Sequence, residues 1–204
     1  MKTQIKKISL FALVLSAVFS CTTSNPVARP NSTPLQIAAC STTNTAFQQL
    51  YANVVSLSGH SNTVTFDTEI HEYQFKMASS ISICSIGYQS QPAIASVPYK
   101  IEILNAANTV IYSGNLVFGS GTTTYVPITP VAISAGQVYT MRRTMPVASA
   151  GNLFSNIIGR VVAQPGALIS FPQTFGPMTV IGANFYQNGG PLVNQGIPFI
   201  DFGY

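Results

Sequence analysis

The order of apolar and polar residues divides the chain into three parts. Residues 8–19 are apolar apart from Ser9 and Ser16, and residues 22–34 are rich in Thr, Ser, Asn and Pro. The third part begins with a helical spacing of large apolar residues between positions 43 and 55: Phe47, Leu50, Tyr51 and Val54. This spacing predicts one short helix, the only helix that the pattern indicates.

From Asn62 onward the pattern changes to short β-rich runs bounded by Gly, Pro, Ser and Asn. The runs lie at 64–77, 81–88, 99–104, 110–117, 123–128, 137–143, 157–163, 167–171, 178–186 and 198–202. Such a series is typical of an all-β, antiparallel β-sandwich, here of about ten strands. The apolar residues change parity between Phe66 and Tyr73, which predicts a break near His71 and Glu72.

A single domain over residues 35–204 is expected, because no linker to a second domain interrupts the runs. The segment 105–108, Asn-Ala-Ala-Asn, reads as a hairpin connection, since Asn readily adopts turn conformations.

The N-terminal apolar stretch has the features of an export signal. Lys2, Lys6 and Lys7 precede it, and its twelve residues are fewer than the roughly 20 that a spanning helix needs. The sequence Val18-Phe19-Ser20-Cys21 then resembles a bacterial lipobox. This resemblance implies that residues 1–20 are a lipoprotein signal peptide, that Cys21 is lipidated, and that residues 21–34 are a flexible tether. An ordinary secretory signal with a chance cysteine is the alternative.

The lipid on Cys21 would make the membrane the first partner of the protein, and several acyl chains would make that anchor stable. Thr22 follows the cysteine where an inner-membrane lipoprotein of some bacteria has aspartate. We therefore expect an exported protein anchored at the outer membrane or the cell surface.

The charge balance of the remaining chain argues against nucleic acid as a partner. Three of the nine basic residues lie in the predicted signal, which leaves six against five acidic residues. In this remaining chain, only Arg142 and Arg143 place two positive charges side by side. We interpret them as one side chain directed inward and one exposed charge. A nucleic-acid surface needs clustered Lys and Arg.

Cys40 and Cys84 remain once Cys21 is assigned to the lipid. In an oxidising compartment an even pair predicts a disulfide between them. Two buried free thiols are the alternative.

Four segments together carry a family resemblance: residues 71–75 (HEYQF), 83–88 (ICSIGY), 99–104 (YKIEIL) and 135–140 (AGQVYT). Their order resembles a bacterial exported β-sandwich domain of unknown function, of the Bacteroidota type. The resemblance implies a jelly-roll-like sandwich, similar to accessory modules of cell-surface and carbohydrate-active proteins. It implies no catalytic residues.

The sequence contains no Gly-x-Ser-x-Gly elbow, no phosphate-binding loop with Lys and no His-Glu-x-x-His helix. We therefore expect a non-enzymatic protein without a cofactor. Asp67, Glu69 and His71 alternate along a predicted strand, so they could bind one metal ion. The favoured alternative is that these residues form the water-facing side of an amphipathic strand.

Glycan recognition is the natural expectation for an exported sandwich, since sugars stack on aromatic rings and hydrogen-bond to Asn, Gln, Asp and Arg. Tyr186 and Asn188, beside a Gly-Gly loop, are the candidate ligand-binding residues. The sequence thus predicts a non-catalytic module that binds a glycan or an envelope component. The alternative is an adhesion or coat protein that acts through self-association or protein partners, which a charge content of only 7% favours.

Overall fold

The computed structural model describes residues 40–66, 68–145, 157–187 and 190–204. These residues belong to one compact unit, 38–204. The predicted signal peptide, Cys21 and the predicted tether lie outside the described residues.

The predicted helix is α1, Ala46–Val55. Thr45 caps it: its hydroxyl accepts from the backbone N–H of Gln48 at 3.0 Å, and the Gln48 side chain accepts from the backbone N–H of Thr45 at 3.3 Å. This reciprocal arrangement is the capping box, which satisfies two backbone donors at the helix start. The apolar residues at helical spacing, Phe47, Leu50, Tyr51 and Val54, are all buried.

After α1, the described residues form thirteen strands in three antiparallel sheets. Their bounds are β1 Ser61–Phe66, β2 Ile70–Met77, β3 Ile81–Tyr88, β4 Tyr99–Asn105, β5 Val110–Leu116, β6 Thr124–Ile133, β7 Tyr139–Thr144, β8 Ile157–Ala163, β9 Gln173–Phe175, β10 Met178–Gln187, β11 Gly190–Val193, β12 Gly196–Pro198 and β13 Asp201–Gly203.

The large sheet has seven strands in the order β11-β10-β2-β7-β4-β5, with β9 pairing to β10 off that path. The β3 sheet has the order β13-β3-β6, and the β8 sheet has the order β1-β8-β12. Strands far apart in sequence therefore meet in the large sheet, where β2 lies between β10 and β7.

One hydrophobic core joins the large sheet to the elements packed on it. The Phe75 ring of β2 lies 5.3 Å from Phe202 of β13, and Tyr88 of β3 lies 5.3 Å from Tyr99 of β4. Helix α1 stacks Phe47 on Tyr73 with ring centroids 5.0 Å apart. The inner face of the large sheet is thus covered by the β3 sheet and by α1.

The predicted disulfide is present. Cys40 and Cys84 are bonded, with Cα atoms 5.9 Å apart across 44 positions of sequence. The bond ties the first described residue to β3.

The predicted fold class, an antiparallel β-sandwich with one short N-terminal helix, is confirmed, but the strand count is thirteen rather than about ten. The break predicted near His71 and Glu72 is wrong in position, because β1 ends at Phe66 and β2 begins at Ile70. No strand forms at 167–171. The hairpin at 105–108 is confirmed, and the Asn105 side chain accepts from the N–H groups of Ala107 and Thr109.

Within the described residues, no helix is long and apolar enough to cross a membrane.

Candidate functional site

A row of polar side chains crosses the outer face of the large sheet. Register places Asn184 of β10 opposite Glu72 of β2, Glu72 opposite Arg142 of β7, and Arg142 opposite Glu102 of β4. Ser113 of β5 is opposite Glu102 and ends the row. We call these five residues the polar row. Alternation creates it, since the neighbouring residues of each strand point to the core.

Glu72, the second residue of the polar row, accepts hydrogen bonds from three side chains and is only 5% exposed. Its Oε2 accepts from Arg142 Nε at 2.7 Å. Its Oε1 accepts from Asn184 Nδ2 at 3.1 Å and from the Tyr186 hydroxyl at 2.9 Å. A carboxylate with so little water contact needs such partners, and here three side chains supply them.

Two cations at the polar row are each paired with a carboxylate. Arg142 pairs with Glu72, and Lys100 contacts Glu102 at 2.6 Å. The Arg142 side chain keeps 27% of its surface exposed and that of Lys100 keeps 50%. The polar row therefore offers partly exposed hydrogen-bond donors, and the charges of these two pairs cancel.

Tyr186, the predicted ligand residue, lies beside the polar row. Partial burial is the main cause that raises the pKa of its hydroxyl, and the hydrogen bond to Glu72 adds to it. That hydrogen bond fixes the orientation of a half-buried ring next to Asn184 and Glu72. The other predicted ligand residue, Asn188, lies outside the described residues.

Arg143, which follows Arg142 on β7, points toward the core. Arg143 is fully buried, and its guanidinium lies over the rings of Tyr88 and Tyr99 at 5.4 and 5.2 Å from their centroids. It donates to the backbone carbonyl of Thr68 at 2.8 Å. The interpretation of one arginine as an inward side chain is confirmed for Arg143, whereas Arg142 is half-buried and paired with Glu72.

The residues predicted to bind metal are not aligned on one strand in the described region. Glu69 is exposed and precedes β2, whereas His71 is 1% exposed and its ring packs edge-on against Phe185 at 4.8 Å. Asp67 lies outside the described residues. No group of three His, Cys, Asp or Glu side chains able to hold a metal occurs in the described parts of the chain.

A cleft lies on the core side of β10, between the large sheet and the β8 sheet. Two adjoining cavities of about 430 and 230 Å³ share Ala163 and Gln195. Gln164 and Gln187 bring further side-chain amides, and Phe185 and Leu192 bring apolar surface. We call this region the glutamine cleft.

A second buried carboxylate has a different environment. Asp201 is 0% exposed and accepts from Thr45 Oγ1 at 2.7 Å, from Gln48 Nε2 at 2.8 Å and from the Tyr125 hydroxyl. Desolvation raises its pKa, although these hydrogen bonds oppose the rise. All three partners are structural side chains, so Asp201 joins α1 to the β3 sheet.

Sequence reasoning identified Tyr186 but missed Glu72, Arg142 and Asn184 as its neighbours. The residues that meet at Glu72 come from strands 70 and 112 positions away. The alternation of Glu72 and Arg142 with buried neighbours could have placed each on an outer face, but only the strand order brings them together.

Comparison with known proteins adds no relative: the chain matches no family model and no curated protein.

Proposed function

We propose that this protein is an exported, lipid-anchored protein whose β-sandwich is a non-catalytic module that binds glycans on the outer face of its large sheet. The observation that carries the binding part is the polar row with Tyr186 beside it. The anchor part rests on Lys2, Lys6, Lys7 and the lipobox-like 18–21. The resemblance to Bacteroidota-type exported sandwich domains supports both parts.

The chemistry of the polar row suits a sugar. Hydroxyl groups both donate and accept hydrogen bonds, and Arg142, Lys100 and Asn184 offer donors beside the acceptor Glu102. Tyr186 offers a ring that an apolar sugar face can cover. Because Glu72 already holds Arg142, Asn184 and Tyr186, little side-chain freedom would be lost on binding.

The balanced charge of the row favours neutral glycans over nucleic acid. Arg142 and Lys100 are each paired with a carboxylate, so the row has no excess positive charge with which to attract a phosphate backbone. No step of the proposal requires a cofactor or a metal.

Binding is tested on a glycan array, followed by calorimetry with the best neutral glycan. Tyr186→Ala is expected to weaken binding about tenfold, since an aromatic contact is removed. Tyr186→Phe keeps the ring and is expected to retain more affinity. Lys76→Ala is the matched control, because Lys76 lies on the same face of β2, opposite Thr179 and away from the polar row.

The glutamine cleft is the alternative binding site that substitutions can distinguish from the polar row. If Gln195→Ala removes binding and Tyr186→Ala leaves it unchanged, the ligand occupies the glutamine cleft and the assignment to the polar row is wrong. If no glycan binds the unsubstituted protein, the binding part of the proposal fails.

The anchor is tested separately, by metabolic labelling with a clickable palmitate analogue in cells that make the intact chain or Cys21→Ala. We expect label and membrane association in the intact chain and neither in the variant. Protease shaving of whole cells then tests surface exposure. Absence of label from both chains would show that Cys21 carries no lipid, whatever the glycan result.

A further inference from the structure

The strand β5, Val110–Leu116, ends the large sheet and pairs on one side only, with β4. Its seven residues include no proline and no charged residue. Val110 and Ile111 are 44% and 40% exposed, and Ser113 and Asn115 are exposed as well. An edge of this kind presents backbone N–H and C=O groups to another strand, and proteins ordinarily blunt it with charge or proline.

The other terminal strands are each less suited to pairing. β6 contains Pro127 and Pro130, and β11 has four residues that include Pro191. β12 and β13 have three residues each. β1 has six residues and a register shift between Thr63 and Thr65; β5 also has a register shift with β4, but it lies at the start of the strand, between Val110 and Tyr112. β5 is therefore the longest proline-free edge among the described strands.

The charge distribution indicates which strand would pair with β5. No Asp, Glu, Lys, Arg or His occurs from Ile103 to Met141, a segment that contains both β5 and β6. A charged partner would find no complementary group along this edge. A second copy of the same edge would meet no like-charge repulsion, which otherwise opposes self-association.

We propose that β5 pairs antiparallel with β5 of a second copy across a two-fold axis at Ser113, the central residue of the strand. This register places Tyr112 opposite Gly114 and Ile111 opposite Asn115. Both copies contribute the same strand, so the pairing is isologous. It is also self-complementary, because Tyr112, the largest side chain of β5, lies opposite Gly114, which has no side chain. It joins the two large sheets into one continuous sheet, so that the β5 edge of neither copy remains free.

The dimer also aligns the two polar rows. Strands of one sheet show the same face, so the outer faces of both copies point the same way. Because Ser113 ends each polar row, the rows meet at the axis and continue one another. Dimer formation does not depend on the proposed function, but it would double the length of the proposed binding surface.

The test uses the full chain with Cys21→Ala, so that neither lipid nor micelle contributes to association. Ser113→Cys is expected to form an intermolecular disulfide under mild oxidation, because directly opposed residues have Cα atoms about 4.5–5.5 Å apart. Asn115→Cys is the matched control on the same face of the same strand. It should cross-link poorly, since position 115 faces position 111 of the other copy.

Sedimentation velocity measures the dimer without a cross-link. Ser113→Lys places two lysines opposite each other and is expected to raise the dissociation constant about fivefold or more. Lys at 113 would lie beside Glu102 in its own sheet, so the folded monomer should persist, as thermal unfolding will show. A monomeric Cys21→Ala chain, or cross-linking of Asn115→Cys in place of Ser113→Cys, overturns the proposal.

Discussion

Removing the disulfide between Cys40 and Cys84 should cost the protein a large part of its stability. The bond closes a loop of 44 positions that contains α1, β1 and β2. The chain-entropy relation for a loop of that length gives about 4 kcal/mol at 25 °C. Both cysteines are half-buried, so replacing the sulfurs with Cβ hydrogens removes little packing and the loop term dominates.

The assay is urea unfolding of the chain that begins at Thr22, with and without Cys40→Ala/Cys84→Ala. The chain has nine tyrosines and no tryptophan, so far-UV circular dichroism and tyrosine fluorescence are the probes. With a urea slope of about 2 kcal/mol per molar, the midpoint should fall by roughly 2 M. Under reducing conditions the unsubstituted chain should have the same urea midpoint as the double variant.

This reasoning would be refuted if the free energy of unfolding of the double variant lay within about 1 kcal/mol of that of the oxidised chain. That result would mean that the segment from Cys40 to Cys84 is already compact in the unfolded chain. An altered urea slope in the reduced chain would be the accompanying sign.

Three further predictions concern the buried polar contacts. Glu72→Gln should lower the free energy of unfolding by about 2 kcal/mol in urea titration, because Arg142 loses its ion pair; an unchanged midpoint would contradict this. Thr45→Ala should cost about 1 kcal/mol, since the cap of α1 is lost, whereas Thr45→Ser should retain most of it. Asp201→Asn should destabilise more at acidic than at neutral pH, measured as the difference in urea midpoint from the unsubstituted chain. Burial raises the pKa of Asp201 in the folded protein above its usual value of 3.8. The stabilisation that the protonated Asp201 gives the folded protein is therefore complete below pH 3.8 and is lost as the pH rises through the folded pKa. A difference in urea midpoint between Asp201→Asn and the unsubstituted chain that grows with pH would contradict this prediction.

The sequence was most informative where structure is set by neighbours in the chain. The helical spacing of large apolar residues from Phe47 to Val54 was enough to predict α1. The Asn105 turn was predicted for the same reason, since its side chain accepts from backbone groups two and four residues ahead. The short strands β9, β12 and β13 were missed as separate elements because three residues show no periodicity.

The error at the start of β2 has a physical cause. Counting the alternation without interruption from residue 64 to the break predicted near His71 placed His71 with Asp67 and Glu69, but β1 ends at Phe66 and the alternation starts again at Ile70. His71 then shares a face with Tyr73 and Phe75 and is buried. The same count places Val64 on the face opposite Asp67 and Glu69, toward the core, but Val64 is 54% exposed.

The contacts around Glu72 and Asp201 could not be predicted from the sequence. Thr45 and Asp201 are 156 positions apart, and nothing in either neighbourhood specifies the other. The polar row likewise depends on β2 lying between β10 and β7. Alternation tells which face a residue takes, whereas the strand order decides which residue lies beside it.

The position of the disulfide also determines how the domain would carry mechanical load. A pull on the residues that precede Cys40 passes through the covalent bond to Cys84, in the central strand of the β3 sheet. Helix α1, β1 and β2 lie within the closed loop and are bypassed by the force. The 44 positions inside the disulfide loop correspond to about 150 Å of extended chain. Because the disulfide keeps this length from being stretched, unfolding at the N-terminal end would lengthen the oxidised protein by that much less than the reduced protein.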